Sequence, residues 1–192
     1  METTPRFWNV PNMLSLSRLV LAVIVFVLIS THAYMAALVI FVLASSTDWL
    51  DGYFARRLNQ CTAIGRQLDP LVDKVIVLGG FIYLLTIEGT GLAPWMVTAI
   101  VVRELLVQAL RSLIEGRGGA FGAVMAGKLK TALQCLAISA ILLVLALGLT
   151  GPWLLVRDVL IWGAVILTVY SGIGYVRLAW PRLRGDAPAS TL

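Results

Sequence analysis

Asp48, Asp51, Asp69 and Asp73 stand in the stretch DWLDGYFARRLNQCTAIGRQLDPLVD, residues 48–73, whose flanks are almost purely apolar. Ionisable groups at membrane depth are costly and rare, and they mark functional sites by default. Residues three and four apart share a helix face, so Asp48, Asp51, Gly52 and Ala55 make one row, while Gly65, Asp69 and Asp73 make a second at intervals of four. Two such rows brought together form a cage of carboxylate oxygens. Mg²⁺ takes oxygen ligands, usually carboxylates together with waters and phosphates, so four carboxylates with nothing softer nearby suit one or two such ions, with Mn²⁺ as the alternative. A zinc set is not offered: His32 is the only histidine, and Cys61 and Cys135 are far apart in sequence. Gly52, Ala55 and Gly65 remove bulk beside the acids, so an extended ligand can approach the backbone. Arg56 adds a fork-shaped donor suited to phosphate oxygens.

The eight positions Asp48, Asp51, Gly52, Ala55, Arg56, Gly65, Asp69 and Asp73 read D-x2-D-G-x2-A-R-x8-G-x3-D-x3-D with none missing. This resembles the signature of the CDP-alcohol phosphotransferases. The resemblance implies a membrane enzyme that displaces CMP from a CDP-linked lipid or alcohol, using a hydroxyl acceptor and divalent metal. The structural alternative, buried ion pairs bracing a helical bundle, would not need four acids against so few local bases.

Around this stretch, composition excludes a soluble protein. The chain has 192 residues, 59% hydrophobic and 13% charged, with a mean hydropathy of +0.91, values that suit a compact membrane bundle. The expected fold is all-α: a polytopic bundle of six transmembrane helices in one domain, residues 1–185, with a short flexible tail at 186–192. The net charge of +5 is better explained by anionic lipids and phosphate ligands than by nucleic acid, which is not an expected partner.

Residues 1–10 carry Arg6, Phe7 and Trp8 ahead of Pro11, a pattern that suits a short interfacial segment leading into the first span. A cleaved signal peptide lacks a small-residue cleavage site here, so a retained span is expected. No charged residue occurs from Leu19 to Thr47. That run is too long for one crossing and should break near Ser30–Ala33. The expected helices are about 12–30, 33–58, 65–87, 94–115, 123–148 and 153–179. Turns fall at 59–64, Glu88–Pro94, 116–122 and 149–152, where breakers cluster. Pro70 lies near the start of the third helix, where a missing N–H is tolerated. Asp48 then sits roughly 15 Å before the end of the second helix, inside the hydrocarbon level.

With the N-terminus in the cytoplasm, fourteen of the fifteen Lys and Arg lie in the inner half or inner loops, and only Arg157 lies outside. The positive-inside rule then gives six spans with both ends cytoplasmic and the aspartates open to the cytoplasm.

Three more stretches bear on the substrate. Pro11-Asn12-Met-Leu-Ser15-Leu-Ser-Arg18 resembles the P-N-x-L-T-x-x-R start of members that use a diacylglycerol-linked CDP donor, with Ser15 keeping the hydroxyl of threonine. Asn12 and Ser15 share a face at a helix beginning, where they could meet phosphate or cytosine or simply cap the helix. On the fourth helix, seven steps of 100° bring Glu104 and Arg111 within roughly 20° of each other, and Arg103 lies about 80° from Arg111, so the three can face one groove. Lys128 and Lys130 open the fifth helix. Arg103, Arg111, Lys128 and Lys130 could supply the donors that a dianionic acceptor phosphate needs. The bland alternative is snorkelling to lipid head groups, credible for Lys130 and Arg117.

These two stretches resemble R-E-x3-S-x-L-R and G-K-x-K-T-x2-Q of the bacterial phosphatidylglycerophosphate synthases, with Gln108 in place of the serine. The resemblance implies CDP-diacylglycerol as donor, bound by Asn12, Ser15, Asp48, Asp51, Gly52, Ala55, Arg56 and Gly65. It implies sn-glycerol 3-phosphate as acceptor, Asp73 as general base, two metal ions on Asp48, Asp51, Asp69 and Asp73, and a place in the bacterial inner membrane. Inositol phosphate, serine or phosphatidylglycerol as acceptor would be the same chemistry with another alcohol. A divalent-cation transporter is the reading outside the enzyme class, and the matched discontinuous spans it calls for are missing. His32 is expected to be a solvated turn residue. Gly79-Gly80 and Ser171-Gly172-Ile-Gly174 permit close helix approach, within one subunit or in a homodimer.

Overall fold

A computed structural model describes residues 10–58, 63–116 and 125–184, with side chains over 16–46, 74–114 and 129–180. The interfacial segment, the residues expected to turn at 59–62 and 117–122, and the C-terminal tail lie outside the described residues. Six helices account for the described chain: α1 Val10–Ser30, α2 Tyr34–Leu58, α3 Ala63–Leu85, α4 Pro94–Gly116, α5 Met125–Leu147 and α6 Pro152–Arg184. Each has 21 residues or more, about 30 Å of rise, the thickness of a hydrocarbon core.

The turns follow from local chemistry. His32 takes a left-handed conformation at φ 58 while its N–H bonds to Ile29 and that of Ala33 to Leu28, a Schellman ending that satisfies the last carbonyls of α1. Gly148 does the same for α5 at φ 59, with the Leu149 N–H on Val144. His32 is exposed, as its place in a turn requires. The third helix stops at Leu85 rather than 87, because the Thr86 and Ile87 N–H groups tighten onto the carbonyls of Tyr83 and Leu84. The sixth runs on to Arg184 rather than ending at 179; no glycine or asparagine follows until Gly185.

Phe26 near the end of α1 stacks on Tyr83 near the end of α3, with centroids 4.8 Å apart. Arg157 at the start of α6 bonds the carbonyl of Gly89 between α3 and α4. The turns at 31–33, 86–93 and 148–151 therefore share one end of the bundle, and alternate helices run towards it and away from it. α1 packs on α2 and α3, α5 on α2, α3 and α6, and α4 on α3 and α6. The centre is closed by Val25, Ile29, Phe41, Phe81, Ile138 and Ile141, all fully buried. A Cβ at Gly79 would overlap the Phe26 ring, and one at Gly80 would press Ile138 at 3.3 Å, so both glycines set helix contacts inside this chain.

The outward faces are apolar too. Val20, Val27, Leu43, Leu105, Leu136, Leu155, Ile166 and Tyr170 are all exposed, a surface that suits lipid rather than water. Among the described residues, Leu129–Leu147 and Pro152–Trp180 are long and apolar enough to cross a membrane, and Leu16–Ser30, Tyr34–Ser46 and Lys74–Leu85 are shorter apolar stretches. The described residues are thus all-helical, with six helices, and their apolar outward faces are those of a membrane protein.

Candidate active site

Asp48 and Asp51 lie on α2 and Asp69 and Asp73 on α3, each pair one turn apart. α2 leaves the turn end at Tyr34 and α3 returns to it at Leu85. By helical rise Asp48 is about 21 Å and Asp73 about 18 Å from that end, so both acid pairs occupy the same half of the bundle. α1 packs against both helices. The side chains of Asn12, Ser15, Asp48, Asp51, Ala55, Arg56, Asp69, Asp73 and Lys128 and the surroundings of Gly52 and Gly65 lie outside what is described, and so do Cys61 and Arg117.

The described part of the site is a buried charge cluster centred on Glu104, which is 4% exposed. Its Oε1 accepts from Arg103 Nη1 at 3.1 Å and pairs with Lys130 Nζ from α5. Its Oε2 lies 3.9 Å from Lys74 Nζ, which comes from α3. Lys74 Nζ also donates to Gln108 Oε1 at 2.8 Å and to the Glu104 carbonyl at 3.4 Å. Arg103 is held on its other side by α6: Nη2 donates to Ser171 Oγ at 2.9 Å, and the guanidinium lies over the Tyr175 ring at 5.3 Å. Ser171 in turn donates to the Thr168 carbonyl, and Gln134 Nε2 donates to Thr168 Oγ1, which ties α5 to α6. Arg111, two turns beyond Arg103, is half-buried, and its Nε has no hydrogen-bond partner among the described residues.

Lys130 does not snorkel: its side chain is 5% exposed and turned inward onto Glu104, because a carboxylate within reach offers what the head-group region would have supplied. Arg103, Glu104 and Arg111 do share one side of α4, yet Arg103 and Lys130 are already engaged by an acid rather than standing open. Gln108, the departure from the serine pattern, receives Lys74. Gly172 meets the expectation of close approach, since a Cβ there would come within 2.9 Å of Arg103 Cγ; at Gly174 a Cβ would meet no atom within 4 Å among the described residues.

Sequence reasoning missed Lys74, Ser171 and the hub role of Glu104. One signal was present: a lone acid at membrane depth on a helix with cations must have partners, and Lys74 directly follows the last acid of the motif.

The arrangement gathers three cations from three helices, one of them the helix that carries Asp69 and Asp73. Such a cluster can hold an anion, and the four aspartates supply hard carboxylate oxygens by residue type. That donor set is uniform in chemistry and fits Mg²⁺ or Mn²⁺.

Residues 8–170 match the family model for CDP-alcohol phosphatidyltransferase. A Bacillus subtilis (strain 168) protein named CDP-diacylglycerol–glycerol-3-phosphate 3-phosphatidyltransferase is 37% identical to this chain over 197 residues, covering 92% of this chain and 98% of its own. A Pseudomonas fluorescens protein of the same name is 37% identical over 185 residues, covering 93% of each. One from Wigglesworthia glossinidia brevipalpis is 31% identical over 182 residues, covering 90% of this chain and 95% of its own. The chain belongs to the CDP-alcohol phosphatidyltransferase family.

Proposed function

We propose that this protein transfers the phosphatidyl group of CDP-diacylglycerol to sn-glycerol 3-phosphate, forming phosphatidylglycerophosphate and CMP. The observation that carries the reading is the cluster of Lys74, Arg103 and Lys130 on Glu104. Three cations against one carboxylate leave two positive charges in excess, a match for a dianionic phosphate on the acceptor. Serine or a neutral alcohol would have no use for that excess. The names of the relatives support the same acceptor.

CDP-diacylglycerol enters with its acyl chains in lipid and its nucleotide along Asn12, Ser15, Asp48, Asp51, Gly52, Ala55, Arg56 and Gly65. Arg103, Arg111, Lys128 and Lys130 take the acceptor phosphate. Asp73 accepts the proton of the acceptor hydroxyl as its oxygen bonds to the β-phosphorus and the bond from that phosphorus to the CMP oxygen breaks. An ordinary carboxylate is a weak base, so holding the hydroxyl in line with the leaving group contributes much of the rate. Two divalent ions, Mg²⁺ or Mn²⁺, held by Asp48, Asp51, Asp69 and Asp73, would neutralise pyrophosphate oxygens and the departing CMP.

The same reading makes residues 1–185 one catalytic domain of six spans in the bacterial inner membrane, with both ends and the site on the cytoplasmic side. The bias of Lys and Arg supports that orientation. A homodimer is compatible with the exposed apolar faces of α6. Purified protein in detergent, given CDP-diacylglycerol and a panel of labelled alcohols, should release CMP and label phosphatidylglycerophosphate only with glycerol 3-phosphate. Equal labelling with serine or inositol phosphate would overturn the acceptor, and no CMP release would overturn the chemistry.

A further inference from the structure

Glu104 is the acid of the described cluster, and the transfer reaction has no direct use for it. An acid beside a site for an anionic acceptor weakens binding by repulsion, so its burial there calls for a compensating gain. We propose that Glu104 is a positioning residue for the acceptor phosphate, its carboxylate holding Arg103 of α4 and Lys130 of α5 in one preset arrangement. The inference rests on the glycerol 3-phosphate reading.

The geometry gives each carboxylate oxygen a task. Oε1 is shared by Arg103 Nη1 and Lys130 Nζ, and Oε2 faces Lys74. Arg103 has a second anchor in Ser171, and Lys74 has one in Gln108. For Lys130, Glu104 is the ion-pair partner among the described residues. The lysine stem has several rotatable bonds, and without that partner the charges its ammonium faces among the described residues are the cations Arg103 and Lys74, which repel it. Arg103, Glu104 and Lys130 are 7%, 4% and 4% exposed, so water cannot take over the role of the carboxylate. Removing the acid thus has two opposed effects. A negative neighbour of the phosphate disappears, and the cations that must meet the phosphate together lose their common reference. Burial decides for the second, because a phosphate would have to draw the separated cations back at the expense of its own binding energy.

The full chain in detergent tests this with Glu104→Gln, which keeps size and one acceptor oxygen but loses the charge. The expected result is a KM for glycerol 3-phosphate raised about tenfold or more, with the KM for CDP-diacylglycerol and the kcat at saturating acceptor within about threefold of wild type. Glu104→Asp, which keeps the charge, should recover part of the loss. Glu104→Gln/Lys74→Met removes one charge of each sign and is read in the same assay, alone if the single variant does not fold. A KM in the double variant that stays well above that of Lys74→Met alone supports positioning; a fall to the KM of Lys74→Met alone overturns it in favour of simple charge balance. An unchanged or lowered KM in Glu104→Gln also overturns it. Failure of the underlying reading looks different, since wild-type protein would then form no phosphatidylglycerophosphate from glycerol 3-phosphate, and both would fall together.

Discussion

Lys130 of α5 and Glu104 of α4 meet as an ion pair in which each side chain is only 5% exposed. Taking one member from such a pair leaves a buried charge, a change that typically costs about 3–5 kcal/mol. Glu104 keeps Arg103 at 3.1 Å and Lys74 at 3.9 Å, so the loss here should be smaller, about 1–3 kcal/mol. Lys130→Met should lower the thermal midpoint in detergent and raise the KM for glycerol 3-phosphate about tenfold or more, as expected for a lost charge-assisted hydrogen bond. A variant with wild-type KM would remove Lys130 from the acceptor site while leaving its structural pairing intact.

Gly172 and Gly174 separate packing from sequence spacing. An alanine Cβ at 172 would come within 2.9 Å of Arg103 Cγ, while one at 174 meets nothing within 4 Å among the described residues. Gly172→Ala should therefore push Arg103 off Ser171 and cost about 1–3 kcal/mol by overpacking. Gly174→Ala should be neutral or gain up to about 1 kcal/mol from helix propensity. Thermal unfolding of the two variants side by side decides this. Similar losses for both would mean that Gly174 is covered by something else, a second copy of the chain being the first candidate.

The helices were legible in the sequence because apolar runs are punctuated by residues that cannot continue them. Ser30–Ala33, Glu88–Pro94 and Leu149–Pro152 break the chain where the structure turns it. The 100° rule also placed Arg103, Glu104 and Arg111 on one side of α4. What it cannot supply is the azimuth of one helix against another. Arg103 and Glu104 differ by one residue, yet one turns towards Ser171 and Tyr175 of α6 and the other towards Lys130 of α5 and Lys74 of α3. That choice depends on which faces pack, and small residues such as Gly172 settle it through contacts that have no sequence period. The acid rows were legible by spacing and by resemblance, and their side chains lie outside the described residues.

Arg157 provides a control far from the proposed chemistry. Its guanidinium bonds the Gly89 carbonyl and Asp158, and Gly89 and Gly91 both need left-handed conformations, φ 78 and 76. The residue thus fastens the α3–α4 turn to the start of α6, although positive charge is scarce at that end. Arg157→Gln should lower the thermal midpoint, with a loss of about 1–3 kcal/mol for a charged hydrogen bond. Both KM values should remain at wild type. A selective rise in the KM for glycerol 3-phosphate would show that this turn reaches the cluster around Glu104.

Asp73 has two proposed duties, metal ligand and base, and a single substitution can tell them apart if metal is varied. Asp73→Asn keeps the shape and one oxygen, so CDP-diacylglycerol should still bind, measured by its protection against thermal unfolding. The amide cannot take a proton from the acceptor hydroxyl, and loss of a general base typically lowers the rate by about 10²–10⁴-fold. If the lost group acted only through the metal, raising Mg²⁺ or Mn²⁺ should restore turnover as the weakened site fills. If it acted as the base, turnover should remain low at every metal concentration while donor binding saturates normally. Restoration by metal to within about tenfold of wild type, less than a general base typically contributes, would move the base role to another of the four acids. The same titration applied to Asp48→Asn should then separate a ligand from a base, because Asp48 lies on α2, while the Lys74 to Glu104 contact joins α3 to α4.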